Sequence, residues 1–349
     1  MKMKGIIGLM IAVSTVLISC KKEANISTAM EETFYVRSGG SDMPAFVYGN
    51  GSSKVFILVL HGGPGGSGLE YRGGSYSEQL EEKYAMVYWD QRHQGNSHGH
   101  LTANEVTIDA MVEDTRAVIK SLKDRYGQDI SVFLMGHSWG GTLGTAYMIK
   151  ENYQHELKGW IEVDGAHDIP MLNIELVKMI QTIGGQEVAA GNNISDWQEM
   201  IDYVNTLDTN NITFEQSGTL NGYGHRIEGL LSQLKQADNP STGLLRYLFL
   251  SPNNPAISGV TGVSLPESFM NEVEKKSMTA ELNKITIPTL IQWGKYDFVV
   301  PPALGYSAYN NISSDNKYLK IYEHSAHSPM NNEPDLFVKD IVDFVEAHK

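Results

Sequence analysis

The chain is poor in cysteine and in positive charge, and both shortages exclude classes of protein. Cys20 is the only cysteine among 349 residues, so no intramolecular disulfide can form and stability must come from a packed core. Lys and Arg total 27 against 41 Asp and Glu, a formal net charge of −14. Because nucleic acids bind basic surfaces, this balance argues against a nucleic-acid partner.

Long apolar runs are also scarce, and the longest one lies near the N-terminus. Lys2 and Lys4 precede an uncharged, mostly apolar stretch at 5–18, whose last two residues begin the sequence LISC at 17–20. The stretch is too short to span a bilayer comfortably and is typical of a signal peptide. The LISC sequence resembles a bacterial lipobox, in which the cysteine is acylated.

This N-terminal pattern predicts an exported bacterial lipoprotein. We expect a signal peptide at 1–19, lipidated Cys20 with a polar tether at 20–30, and a membrane anchor on the periplasmic or cell-surface side. The alternative is an ordinary secretory signal in which Cys20 is incidental.

Buried strands and amphipathic helices alternate along much of the chain, which predicts an α/β fold with a mostly parallel central sheet flanked by helices. The predicted strands are 54–60, 84–89, 130–135, 158–163, 287–293 and 317–323, and the clearest helices are 107–126 and 335–348. Alternation stops between 166 and 277, where the sequence favours helices and polar loops. We therefore expect a core domain built on this sheet at 31–165 and 278–349, with a helical cap inserted at 166–277.

A candidate nucleophile follows the third predicted strand. Gly136, Ser138 and Gly140 match G-x-S-x-G, the nucleophile elbow of the α/β-hydrolase fold. The sharp turn from strand to helix requires small neighbours and exposes the serine, which is the reason for the glycines. The alternative is a glycine-rich turn with an incidental serine.

An acyl-transfer site also needs two N–H donors for the oxyanion. The residue after the nucleophile, Trp139, should supply one donor. The glycine-rich loop at 61–66 follows an early strand, and we assign the second donor to Gly63, with Gly62 as the alternative.

In this fold the acid follows the serine along the chain and the histidine follows the acid. Asp297 comes soon after a strand and is the favoured acid, while Asp164 is the competitor and alternatively caps the first cap helix. His327 lies in a loop after the last strand and is favoured over His324 as the base. His137, beside the nucleophile, is expected to support the elbow.

Five motifs together resemble the proline iminopeptidase family of α/β-hydrolases. They are HGGPGG at 61–66, WDQRHQGNS at 89–97, GHSWGG at 136–141, GKYDFVVPP at 294–302 and HSAHSP at 324–329. The resemblance implies Ser138, Asp297 and His327 as the catalytic triad, release of an N-terminal residue from peptides, and no cofactor. The substrate would be a small peptide or other acyl compound.

Two features depart from the family pattern. His93 replaces a glycine in the second motif. In addition, cap glutamates that hold the substrate amine in the family have only a distant match here, in Asp196 and Glu199 beside Trp197. An esterase or lactonase of small acyl substrates therefore stays open, as does a surface lipoprotein that binds without catalysis.

No motif indicates a cofactor or a metal. The glycine-rich loop at 61–68 lacks the lysine of a phosphate-binding loop. His93, His98 and His100 lie in a polar loop without an acidic or cysteine partner at ligand spacing, so a solvated loop is favoured over a metal site.

Overall fold

The computed structural model describes residues 29–235 and 265–349. Within these residues nine strands form one sheet, whose main path runs β1-β2-β4-β3-β6-β7-β8-β9, with β5 paired to β2. The strands are β1 (Met30–Ser38), β2 (Ser41–Gly49), β3 (Val55–Leu60), β4 (Ala85–Trp89), β5 (His98–Gly99), β6 (Ser131–His137), β7 (Gly159–Val163), β8 (Thr289–Gly294) and β9 (Lys317–Tyr322).

The part of the sheet from β4 to β9 is parallel, which confirms the predicted fold class. Each predicted strand is present to within two residues at either end. All six residues of β3 are buried, because helices cover both faces of a parallel sheet. Alternate residues of β3 point to the two faces, so one apolar run contributes to two cores.

The antiparallel strands β1 and β2 were not predicted. They pair from Met30 with Gly49 to Ser38 with Ser41, at one edge of the sheet. Most residues of β1 lie partly or fully exposed, and β2 contains Pro44, so neither strand has the continuous apolar run that identifies a central strand.

Ten α-helices accompany the sheet in the described part of the chain. They are α1 (Ser75–Lys83), α2 (Ile108–Tyr126), α3 (Trp139–Ile149), α4 (Ile169–Ala190), α5 (Ile194–Val204), α6 (Phe214–Glu228), α7 (Glu267–Glu274), α8 (Pro302–Asn311), α9 (Pro329–Asn332) and α10 (Pro334–His348). Apolar residues of α1 and α10 pack on one face of the sheet, and those of α2, α3 and α8 pack on the other. None of the helices in residues 29–235 and 265–349 has the length and apolar character needed to cross a bilayer.

Helices α4 to α7 all lie between β7 and β8 in the chain, in the region predicted to form a cap. The two ends of this insertion meet in an antiparallel bridge between Asp168 and Ser277, whose side chains also hydrogen-bond at 2.6 Å. The insertion has a core of its own, in which Trp197 and Leu220 are fully buried and Phe298 of the sheet domain joins them. This joins the insertion to the end of β8, where the candidate site lies. The cap boundaries themselves stay a prediction.

Candidate active site at the carboxyl ends of the strands

Ser138 occupies a strained turn between β6 and α3. Its backbone has φ 57° and ψ −121°, outside the regions that non-glycine residues favour. The turn needs glycine on both sides. A Cβ at Gly136 would lie 2.3 Å from the Gly140 carbonyl oxygen, and a Cβ at Gly140 would lie 2.0 Å from that of Leu60. The elbow predicted from G-x-S-x-G therefore has its expected geometry.

Asp297 and His327 come from different loops and are hydrogen-bonded. Asp297 follows β8 and is fully buried, and its Oδ2 accepts a hydrogen bond from His327 Nδ1 at 2.8 Å. Its Oδ1 accepts from the backbone N–H groups of Val299 and Val300 at 2.8 and 2.7 Å. The aspartate is thus held in one orientation and fixes the orientation of the imidazole.

The surroundings of His327 shift its pKa. Burial lowers the pKa, but the charge and hydrogen bond of Asp297 and the charge of Glu228 raise it, and the net shift is upward. Within the described residues no hydrogen bond joins Ser138 to His327, a contact that is often long in a site without substrate. The ring of His137 lies beside that of His327, with the two ring centroids 4.7 Å apart.

Asp164, the competing acid, lies at the end of β7 near Asp297. Its Oδ1 accepts a hydrogen bond from Gly294 N–H at 2.9 Å, and no hydrogen bond joins it to His327 in the described part of the chain. Burial and the nearby Asp297 carboxylate raise its pKa well above the ordinary value. It does not cap the first helix of the insertion either, because that N-cap is Asp168.

The glycine-rich loop after β3 lies against the elbow. A Cβ on Gly62 would come within 3.3 Å of Ser138 Cβ. The Gly62 N–H donates to Tyr71 Oη at 2.8 Å, so it is not free for an oxyanion. The Gly63 N–H has no acceptor among the described residues, and Trp139 begins α3, where amides lack intrahelical partners. Of the two alternatives for the second donor, the geometry favours Gly63.

Two glutamines of the second motif hold this loop in place. Gln91 Nε2 donates to the His61 carbonyl at 3.1 Å, and its Oε1 accepts from Trp139 Nε1 at 2.7 Å. Gln94 Oε1 accepts from Gly65 N–H at 2.5 Å. The motif therefore links the glycine-rich loop to the residue after the elbow. Of the histidines in the same loop, His98 and His100 are both exposed on the surface.

The cap contributes Glu228, at the end of α6. Its Oε1 accepts a hydrogen bond from the backbone N–H of His327 at 3.1 Å, and burial raises its pKa. His225, one turn earlier on the same helix, places its ring edge-on to His327 with centroids 6.4 Å apart. The cap thus contacts the histidine loop directly.

A cavity of about 240 Å³ opens above the elbow between the sheet and the cap. Gly63, Ser138 and Trp139 line its floor, and most of its remaining lining is apolar or neutral. Glu274 of α7 is the only ionisable side chain among the described lining residues. Burial raises the pKa of Glu274, a hydrogen bond with Ser217 opposes the shift, and no cation among the described residues contributes to it. The cavity therefore combines a neutral wall with one carboxylate.

The distant sequence match to the family's amine-binding glutamates lies away from the cavity. Asp196 and Glu199 both pair with Arg226 on the exposed side of the cap, and neither lines the cavity. Sequence reasoning also missed Tyr71, Glu228 and Glu274. Only their place in the fold, beside the loops or in the cavity, identifies them, because no local motif surrounds them.

Comparison with known proteins agrees with this architecture. The family model described as alpha/beta hydrolase fold matches residues 55–334. A proline iminopeptidase of Saccharolobus solfataricus is 27% identical over 321 residues, covering 90% of this chain and 92% of the relative. That of Thermoplasma volcanium is also 27% identical, covering 85% and 90%.

Solved structures share the fold at lower identity. The proline iminopeptidase of Mycobacterium smegmatis superposes with a TM-score of 0.60 at 16% identity, covering 91% of this chain and 98% of that structure. The family match, the parallel sheet and the relatives all agree with the resemblance seen in the five motifs. The chain is a hydrolase and belongs to the proline iminopeptidase-like alpha/beta hydrolases.

Proposed function

We propose that the chain is a serine aminopeptidase that releases the N-terminal residue of a peptide through an acyl-enzyme. His327, oriented by Asp297, takes the proton of Ser138 while Oγ attacks the carbonyl carbon of the first residue. The N–H groups of Gly63 and Trp139 stabilise the oxyanion. His327 then gives its proton to the leaving amine, and water attacks the acyl-enzyme to release the free amino acid.

The observation that carries the peptidase assignment is the carboxylate of Glu274 in the neutral cavity beside Ser138. A partly buried carboxylate without a cation is costly, so the site favours a ligand that brings a positive charge. The α-ammonium group of a peptide N-terminus is such a ligand, whereas a simple ester offers none. The names of the curated relatives support the same substrate class.

The test compares three substrates on the chain from residue 21 onward, with Ser138→Ala as the blank. They are prolyl-p-nitroanilide, its N-acetylated analogue and p-nitrophenyl butyrate. The proposal expects turnover of the free-amine substrate and at least about a hundredfold less of the acetylated one, because acetylation removes the charge that Glu274 would bind. Turnover of the butyrate ester alone would replace the aminopeptidase by an esterase.

Glu274→Gln tests the amine site directly. The substitution keeps the shape of the side chain but removes its charge, so KM for prolyl-p-nitroanilide should rise by about tenfold or more. Asp196→Asn is the matched control, because Asp196 is an acid of the same cap that pairs with Arg226 outside the cavity. Equal effects of the two variants would contradict the assignment of Glu274.

The nucleophilic role of Ser138 and the lipid anchor on Cys20 each need a separate test. A fluorophosphonate probe should label Ser138, and failure to label a folded wild-type protein would favour a binding protein without catalysis.

We also propose that Cys20, which lies outside the described residues, carries a lipid anchor. Radiolabelled palmitate should enter the wild-type protein in a bacterial host and not the Cys20→Ser variant.

A further inference from the structure

A chain of three hydrogen bonds runs next to the elbow of Ser138. The Gly62 N–H donates to Tyr71 Oη at 2.8 Å, and Tyr71 Oη lies 2.6 Å from His137 Nδ1. At its other end, His137 Nε2 lies 2.6 Å from the backbone carbonyl oxygen of His327. Four stretches of the sequence are joined in this way, and none of them is adjacent to another in the chain.

The chemistry of the groups fixes every proton in this chain of hydrogen bonds. The His327 carbonyl can only accept, so His137 Nε2 carries a hydrogen. Burial and the charge of His327 lower the pKa of His137 to about 3, so its other nitrogen is a bare acceptor. Tyr71 keeps its hydroxyl hydrogen because burial raises its pKa, and it donates to Nδ1 while accepting from Gly62. Each donor and acceptor is used once and in one direction.

One end of this chain of hydrogen bonds lies at the proposed oxyanion loop, and the other end lies at the loop of the proposed base. Gly62 precedes Gly63, whose N–H is the proposed oxyanion donor and whose φ of 120° depends on how the preceding peptide is held. His327 is the proposed base. His137 sits between them and directly precedes Ser138. A shift of either loop would misplace a reacting group, and a displacement of about 1 Å can cost about a hundredfold in rate.

We propose that Tyr71 and His137 are positioning residues, which couple the oxyanion loop to the loop of His327 through a fixed chain of neutral hydrogen bonds. The inference rests on the proposed serine mechanism. Neither side chain exchanges a proton with the substrate. They keep the Gly63 donor and the His327 base in register with Ser138, so their contribution appears in the transition state rather than in substrate binding.

The experiment uses four variants, each checked for folding by its thermal unfolding midpoint. Tyr71→Phe removes the donor to His137 and the acceptor for Gly62. His137→Leu removes both hydrogen bonds of the His137 side chain, whereas His137→Gln retains an N–H that can donate to the His327 carbonyl. Tyr88→Phe is the matched control, because Tyr88 is a buried tyrosine whose hydroxyl bonds Glu81 away from the site.

Tyr71→Phe and His137→Leu should each lower kcat by about tenfold or more with KM within about twofold, whereas Tyr88→Phe should keep both constants. His137→Gln should recover most of the loss seen in His137→Leu. The rate of fluorophosphonate labelling should follow kcat in all four variants.

Three results would overturn the inference. Wild-type kcat in Tyr71→Phe would do so, as would a His137→Gln variant as slow as His137→Leu. Unfolding of every variant except Tyr88→Phe would show a structural role instead. Failure of the proposed function is separable, because it would appear as a wild-type protein whose Ser138 the probe does not label.

Discussion

Replacement of Asp297 by asparagine tests the proposed acid sharply, because the surrounding hydrogen bonds dictate how the amide must lie. Oδ1 of Asp297 accepts from the N–H groups of Val299 and Val300, while Oδ2 faces His327 Nδ1. An asparagine oxygen must take the Oδ1 position, since an NH₂ group there would oppose two donors. The NH₂ group is then forced against His327.

This orientation reverses the hydrogen bond to the imidazole. His327 must accept at Nδ1, so its hydrogen moves to Nε2, and the ring can no longer accept the proton of Ser138. Loss of the correct tautomer lowers the rate of a serine triad by about 10⁴, or about 5 kcal/mol in activation free energy. The fold should survive, because both backbone hydrogen bonds to Val299 and Val300 are retained.

The assay is the second-order rate of fluorophosphonate labelling at Ser138, which does not depend on knowing the substrate. Asp340→Asn is the matched control, because Asp340 is a buried aspartate that contacts Tyr322 and Lys320 outside the site. A folded Asp297→Asn variant that is labelled within tenfold of the wild-type rate would refute the assignment. Asp164 would then be the candidate acid.

Two further predictions concern the neighbouring acids. Because Asp164 has a raised pKa in the folded protein, its contribution to stability falls as pH rises from the ordinary carboxyl pKa toward the raised value. Between pH 5 and pH 8, the free energy of unfolding in urea should therefore fall less steeply in Asp164→Asn than in the wild type. Equal slopes in the two proteins would contradict the prediction. Glu228→Gln keeps the acceptor for the His327 N–H but removes a charge that raises the His327 pKa, so activity should persist to lower pH. An acid limb of kcat/KM that stays in place would show that Glu228 does not act on His327.

The sheet and the loops at its carboxyl ends were predictable because their signals are local. A continuous apolar run identifies a strand buried on both faces, and G-x-S-x-G marks the turn that follows β6. The order of the motifs also predicted that the loops of Asp297 and His327 would meet, and their geometry agrees, although their catalytic roles stay predictions. The edge strands β1 and β2 lacked such a run and were missed.

The contribution of the cap was not predictable, because it depends on which way side chains face after distant helices pack. Asp196 and Glu199 stand beside a tryptophan and resemble an acidic amine site in sequence, but Arg226, on the next helix, pairs with both. Glu274 stands in an ordinary charged helix and yet faces the cavity. Among the described residues, Asp196 and Glu199 have a cationic partner and Glu274 does not, a difference that sequence spacing does not reveal.

Helix α6 connects the wall of the cavity with the loop of the proposed base. Phe214 and Ser217, near its start, line the cavity, and Glu228, its last residue, accepts the hydrogen bond from the His327 backbone. A peptide that displaces the start of α6 would therefore transmit the displacement to His327, because a helix moves largely as a rigid unit. Substitutions that change the cavity wall along α6 should then alter kcat as well as KM, in contrast to a wall that only contacts substrate.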